Sequence, residues 1–222
     1  MSRLFTRILY YLKLAVKKPY LISSFIFKKH LGVILLVPIT KDEEFNKLDL
    51  DINIVRSTNA EEIYKFYKRM NRDSVNLETI KIWLAKKFDC FMVYSSDGLA
   101  IGGMWIFKDK FNLNNTSGRT LSSSNTIILD DETVYGAYVI IDEKCRGKGI
   151  NQMLLRYVVD FYSQKSDYKK LLLITGASNG AYIRTTMKNN AKLIGITKVN
   201  NICGFKNRKE LFLDKKEKVW NN

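Results

Sequence analysis

Arg146 and Lys148 alternate with Gly147 and Gly149 in the stretch Ile141-Asp142-Glu143-Lys144-Cys145-Arg146-Gly147-Lys148-Gly149-Ile150-Asn151. Two cations beside two glycines suit an anion, because glycine lets the backbone approach a phosphate closely or take positive φ. An apolar run, Val134 to Ile141, leads into the stretch, and an apolar-periodic run, Met153 to Phe161, leads out of it. The order strand, glycine turn, helix lines up backbone N–H groups at the positive end of a helix dipole. A pyrophosphate fits that arrangement. The plainer alternative is a surface loop that happens to be basic and glycine-rich.

Other chemistries are thinly provided. Cys90, Cys145 and Cys203 lie far apart with no metal-ligand spacing, and their odd number suits a reducing compartment and buried free thiols. The single histidine, His30, lies outside the region of the turn. Neither a histidine-ligated metal nor a Ser/His/Asp triad is supported, and no metal is expected.

The elements that must hold the turn can be read from periodicity and caps. Asp49 to Val55 alternates and reads as a first strand, and Ser57 to Asn59 supplies caps for a helix with Glu61 and Glu62 in its first turn. The pattern predicts a second helix from Leu77 to Lys87. Phe91 to Tyr94, Ser96-Asp97-Gly98 and Leu99 to Phe107 read as a hairpin. Phe111 to Asn125 is polar and reads as a flexible loop that could close over a substrate. Lys170 to Thr175 reads as a strand before Ser178-Asn179, and Ile202 to Phe205 with Leu211 to Phe212 as a last strand.

In motif and element order, residues 50 to 210 resemble the GNAT superfamily of acyl-CoA-dependent N-acyltransferases. Their signature, Arg/Gln-x-x-Gly-x-Gly/Ala, is matched by Arg146 and Gly149, with Asn151 replacing the final small residue. The resemblance implies an α/β fold (an α+β mixed sheet), with a central, mostly antiparallel sheet flanked by helices. It also implies acetyl-CoA or another acyl-CoA as donor and a primary amine as acceptor. In that family the motif strand and the next one splay apart, and the exposed backbone of the first pairs with the pantetheine arm. Here those strands would be Val134 to Ile141 and Lys170 to Thr175. The resemblance therefore assigns Ile140, Ile141, Arg146, Gly147, Lys148, Gly149, Ile150, Asn151 and Asn179 to cofactor binding. Asn179 would serve equally well as a helix cap.

The proton chemistry departs from the family. Many members carry a tyrosine seven residues after that asparagine, and this chain has Thr186 there. A threonine hydroxyl is far less acidic than a phenol. Tyr135 and Tyr182 are the substitute acids, although a core aromatic is as good a reading of Tyr182. Members that use a glutamate on the motif strand carry it near Thr133, next to Glu132. Asp130, Asp131 and Glu132 could bind or deprotonate a cationic amine, or could form a solvated acidic turn. Alternation places Thr133, Tyr135 and Ala137 on one face and Gly136 and Tyr138 on the other.

Charge divides the chain. Residues 1–30 hold seven Lys/Arg and no acid, residues 31–164 carry −1, and residues 165–222 carry +9, for a net +15. On a wheel of about 100° per residue, residues 3 to 18 separate an apolar half from Arg3, Arg7, Lys13, Lys17 and Lys18. Residues 1–40 therefore read as a basic amphipathic extension that can lie on an anionic membrane surface or pack on the domain, and residues 41–222 as the catalytic domain. Leu31 to Val37 reads as an added edge strand or part of the membrane-facing piece. The expected setting is cytoplasmic, peripheral on the inner face of a membrane. The acceptor would be an amine, such as an amino sugar of a surface-polysaccharide precursor. Two alternatives are an acyl carrier protein as donor and a basic nucleic-acid-binding module without catalysis. No binding motif supports the module, and the sequence leaves the oligomeric state open.

Overall fold

A computed structural model describes residues 27–41, 51–72, 75–112, 126–202, 205–213 and 220–221. Its centre is an eight-stranded sheet. In chain order the strands are β1 (Phe27–Pro38), β2 (Ile52–Ser57), β3 (Asp89–Ser95), β4 (Ala100–Phe107), β7 (Thr133–Ile141), β8 (Lys170–Gly176), β9 (Lys192–Ile202) and β10 (Phe205–Phe212). In space the order is β10-β9-β1-β8-β7-β4-β3-β2. Every neighbouring pair is antiparallel except β7 and β8. A small sheet, β11-β6-β5, joins β5 (Lys110–Asn112), β6 (Thr126–Leu129) and β11 (Trp220–Asn221). The sequence did not signal it. Most of the expected loop, residues 113–125, lies outside the described residues.

Among the described residues two helices cover each face. Helix α1 (Ala60–Arg69) and helix α2 (Leu77–Ala85) bury Ile63, Phe66, Tyr67, Ile80 and Trp83 against one face. Helix α3 (Ile150–Lys165) buries Ile150, Leu154, Leu155, Val158 and Tyr162 against the other, where helix α4 (Gly180–Met187) also packs. The Asn59 cap lies where the sequence placed it, and the second helix has a cap, Asn76, that the sequence reading did not single out. Asn59 Oδ1 accepts from the Glu62 amide at 3.2 Å, and Asn76 Oδ1 accepts from the Thr79 amide at 2.8 Å. Among the described residues no helix is long and apolar enough to cross a membrane.

The first strand corrects an expectation. Residues 31–37 do not form an edge: β1 lies inside the sheet, paired with β8 from Gly32 to Pro38 and with β9 from Phe27 to Leu36. Its apolar side chains serve both faces, with Ile34 in one core and Leu35 and Val37 in the other. That pattern of burial on both faces belongs to an interior strand, which is why the run is continuously apolar. The proposed boundary at residue 40 therefore falls after a strand of the main sheet. The amphipathic segment before residue 27 lies outside the described residues.

Candidate active site

Strands β7 and β8 run parallel, and their pairing covers only four steps, from Thr133 opposite Lys170 to Gly136 opposite Leu173. Beyond Gly136 the two strands part. Gly136 permits close packing at the fork: a Cβ there would stand 2.3 Å from Met104 Cε and 2.6 Å from Leu173 Cδ2. The gap opens as a cleft of about 340 Å³, lined by both strands, by Asn179 and Tyr182 at the start of α4, and by Tyr67 and Arg72 at the end of α1. Since α1 and α4 lie on opposite faces, the cleft is reached from both sides of the sheet. A larger hollow of about 610 Å³ lies along β2 and β3 at the sheet edge, far from the fork in the strand order.

A bulge redirects β7. Between its pairings with Gly103 and Trp105, β4 offers Met104 alone opposite Tyr138 and Val139, and Tyr138 takes φ +54°. One extra residue changes the alternation. Tyr138 therefore joins Tyr135 and Ala137 on the α1/α2 face, instead of lying opposite them as simple alternation predicts. Its ring centroid is 4.9 Å from that of Trp83, and its carbonyl accepts from Tyr67 Oη at 2.9 Å. The Tyr138 hydroxyl oxygen is buried and has no hydrogen-bond partner among the described residues.

At the far end of β7 the chain makes a short 3-10 turn, Glu143–Cys145, capped by Asp142 Oδ1 accepting from the Lys144 amide at 3.1 Å. Gly147 and Gly149 follow with φ +79° and +81°. Gly149 is the N-cap of α3 and offers no side chain to its first amides. An anion can meet those amides directly. Arg146 braces the turn: its Nε donates to the Ile141 carbonyl at 3.2 Å, and it pairs with Glu143 at 3.2 Å on an exposed surface. Such a surface pair is weak enough for a phosphate to displace. Lys148 is exposed. The Ile140 and Ile150 side chains are buried in opposite cores, so only their backbone groups could face a ligand. Ile141 packs on the α3-side core, and Asn151 sits half-buried in the first turn of α3.

Tyr135 and Tyr182 meet in the cleft although 47 residues separate them. Tyr135 is nearly buried, and burial pushes the Tyr182 phenol well above its usual range. Burial does the same to Tyr138 and Tyr67. Asn179 caps α4 by accepting from the Tyr182 amide at 3.4 Å, while its Nδ2 donates to Thr175 Oγ1 at 3.3 Å, so it caps the helix and lines the cleft together. Thr186 is fully buried and donates to the Tyr182 carbonyl at 2.9 Å.

Glu132, the third expected catalytic candidate, lies apart from Tyr135 and Tyr182. It precedes β7 at the end away from the fork, pairs with Lys169 and, at 3.5 Å, with Lys170, and does not line the cleft. Lys169 holds its carboxyl below the usual range, which makes it a poor base. Asp130 pairs with Lys170 at 3.4 Å in the same exposed cluster. No carboxylate and no histidine line the cleft among the described residues, and no cluster of His, Cys, Asp and Glu among them could hold a metal. Sequence reasoning missed Tyr67, Arg72 and Tyr138. The Asn71-Arg72 pair after a helical pattern was a C-cap signal, but nothing local said what that cap would face.

Residues 58–188, more than half of the chain, match the family described as Acetyltransferase (GNAT) family. No curated protein is similar enough in sequence to be matched with this chain. Among solved structures, a GCN5-related N-acetyltransferase from Sphaerobacter thermophilus is 12% identical with TM-score 0.54, covering 89% of this chain and 57% of that one. A glucosamine N-acetyltransferase region in a fungal multi-domain β-N-acetylglucosaminidase is 14% identical with TM-score 0.56, covering 84% and 23%. A tandem GNAT protein from the clavulanic acid biosynthesis pathway is 9% identical with TM-score 0.52, covering 79% and 55%. At these identities the likeness is one of fold, and the chain spans less than two thirds of the length of each.

Proposed function

The chain belongs to the GNAT acetyltransferase family, and from that premise we propose that it transfers an acetyl or other acyl group from acyl-CoA to a primary amine. The observation that carries the reading is the fork of β7 and β8 at Gly136, with the left-handed Gly149 N-cap of α3 at the end of the same strand. The glycine turn and the α3 N-terminus hold the pyrophosphate, and the unpaired β8-facing edge of Ala137 to Ile141 receives the pantetheine amides. The thioester then lies among Tyr135, Tyr138, Asn179 and Tyr182.

The transfer forms a C–N bond and breaks the C–S bond. The attacking amine must arrive neutral, and its proton passes to water, since no base lines the cleft among the described residues. The departing thiolate takes a proton from Tyr182 or Tyr135, and that phenol regains one from water, which has received the amine's. The fungal neighbour, described as a glucosamine N-acetyltransferase region, supports an amino sugar as acceptor. The amphipathic pattern of residues 3–18 supports docking on an anionic membrane where a polysaccharide precursor would be presented.

Binding of CoA to the wild type and to Gly149→Asp tests the assignment. A side chain at φ +81° is strained, and a carboxylate there repels the pyrophosphate. We expect at least tenfold weaker binding, about 1.4 kcal/mol, in a variant that still folds. Unchanged affinity in the folded variant would sink the pyrophosphate site.

A further inference from the structure

We infer that Arg72 binds an anionic group, phosphate or carboxylate, carried by the amine acceptor; this rests on the acyltransferase reading above. The two mouths of the cleft differ in chemistry. Toward α3 and α4 lie the glycine turn and Asn179, where the acyl donor enters. Toward α1 and α2 lie Tyr67, Tyr138 and Arg72, which leaves that mouth for the acceptor.

Arg72 is held there by the end of α1. The helix closes through Asn71 in the left-handed region at φ +55°, with the Asn71 amide donating to the Lys68 carbonyl and the Arg72 amide to the Tyr67 carbonyl, each at 3.0 Å. This paired closure fixes the direction in which the chain leaves the helix. The Arg72 carbonyl then accepts from the Val75 amide at 2.9 Å, and Val75 is buried in the α1/α2 core. Tyr67 and Arg72 thus reach the cleft from one rigid turn. The Arg72 charge lies close enough to the Tyr67 phenol to oppose the upward push of burial on it.

Arg72 is the single charged side chain lining the cleft among the described residues, and it has no ion-pair partner among them. A site selecting an acceptor by its ammonium charge would place a carboxylate there. This one places a guanidinium, whose fork suits a phosphate or a carboxylate. The buried Tyr138 hydroxyl, without a hydrogen-bond partner among the described residues, adds a donor on the same face. Arginine near a helix C-terminus also suits the helix dipole, but that role requires no place in a cleft.

The test uses three small amines that end in a phosphate, a carboxylate or a hydroxyl: phosphoethanolamine, β-alanine and ethanolamine. Each is titrated into CoA-saturated full-length protein and followed by the ring resonances of labelled tyrosines. At least one anionic amine should bind about tenfold or more tighter than ethanolamine, the scale of a charge-assisted hydrogen bond. Which of the two does so separates phosphate from carboxylate. Arg72→Gln should reduce the preference to within about twofold while leaving CoA affinity unchanged. Equal binding of all three, binding of none, or a preference that survives Arg72→Gln overturns the inference. Failure of the wild type to bind CoA overturns the acyltransferase reading with it.

Discussion

Thr186 and Tyr182 stand one helical turn apart in α4 and have opposite prospects as proton donors. The Thr186 hydroxyl is buried, donates to the Tyr182 carbonyl and also interacts with the Tyr182 phenol, so it serves Tyr182 and does not itself line the cleft. Thr186→Val should cost about 1 kcal/mol of stability and leave most of kcat intact. Tyr182→Phe or Tyr135→Phe should lower kcat by roughly 100-fold or more if that phenol protonates the thiolate, within the range of one acid's contribution. A Thr186→Val enzyme that binds CoA but does not turn over would reverse the assignment. The pH profile gives a second check. Burial raises the Tyr182, Tyr138 and Tyr67 phenols, so they keep their protons throughout the neutral and mildly alkaline range. With no carboxylate or histidine lining the cleft among the described residues, kcat/KM should rise as the acceptor amine loses its proton and show no falling limb below about pH 10. A limb falling near pH 8 would point to another acid.

At the scale of elements, one buried carboxylate ties together strands from the outer half of the sheet and the long helix. Asp89, the first residue of β3, lies 2.5 Å from Arg56 Nε of β2 and 2.6 Å from Lys108 Nζ just after β4, and it accepts from the Tyr162 hydroxyl of α3. Asp89 is 2% exposed, whereas the Arg56 side chain is 46% exposed. Asp89→Ala should cost roughly 2–3 kcal/mol, less than the ~3–5 typical of a fully buried pair, because the cations keep access to water. Tyr162→Phe should cost about 1 kcal/mol. Chemical denaturation measures both, and a loss below about 1 kcal/mol for Asp89→Ala would mean the network contributes little. The same scale explains the fork. Parallel pairing ends at Gly136, and the bulge turns the Tyr138 carbonyl toward Tyr67, so the element that splays is also the one locked to α1.

For the whole molecule, β1 decides where the chain can be shortened. Phe27 to His30 pair with Ile202 to Val199, so a cut at residue 30 would remove pairing from the middle of the sheet. Removing residues 1–26 should leave a folded protein that binds CoA, and removing residues 1–38 should abolish folding, as circular dichroism and CoA titration will show. The shorter deletion also isolates the basic segment. Full-length protein should float with anionic vesicles at low salt and detach as salt rises, since headgroup attraction is screened beyond about 10 Å at 0.1 M. The protein lacking residues 1–26 should stay in the soluble fraction. Full-length protein that also stays soluble at low salt would remove the case for membrane docking.

Local signals determined much of this protein. Asn59 could be read as a cap, Ser96-Asp97-Gly98 as a hairpin turn, and Arg146 to Gly149 as a glycine turn between strand and helix. In each case neighbours within a few residues dictate the conformation. The sequence also identified Tyr135, Tyr182 and Asn179 as worth watching. Only the tertiary structure decided which side chains share the cleft. Tyr67 and Tyr138 are 71 residues apart and meet through a bulge whose extra residue depends on pairing with β4. Glu132 lies apart from the cleft and pairs with Lys169 and Lys170, which nothing near it in the sequence signalled. The apolar run of β1 could have been an edge, an anchor or an interior strand, and its place between β8 and β9 followed from partners more than 130 residues later. Periodicity records which faces a strand buries, but the identity of what covers them is written elsewhere in the chain.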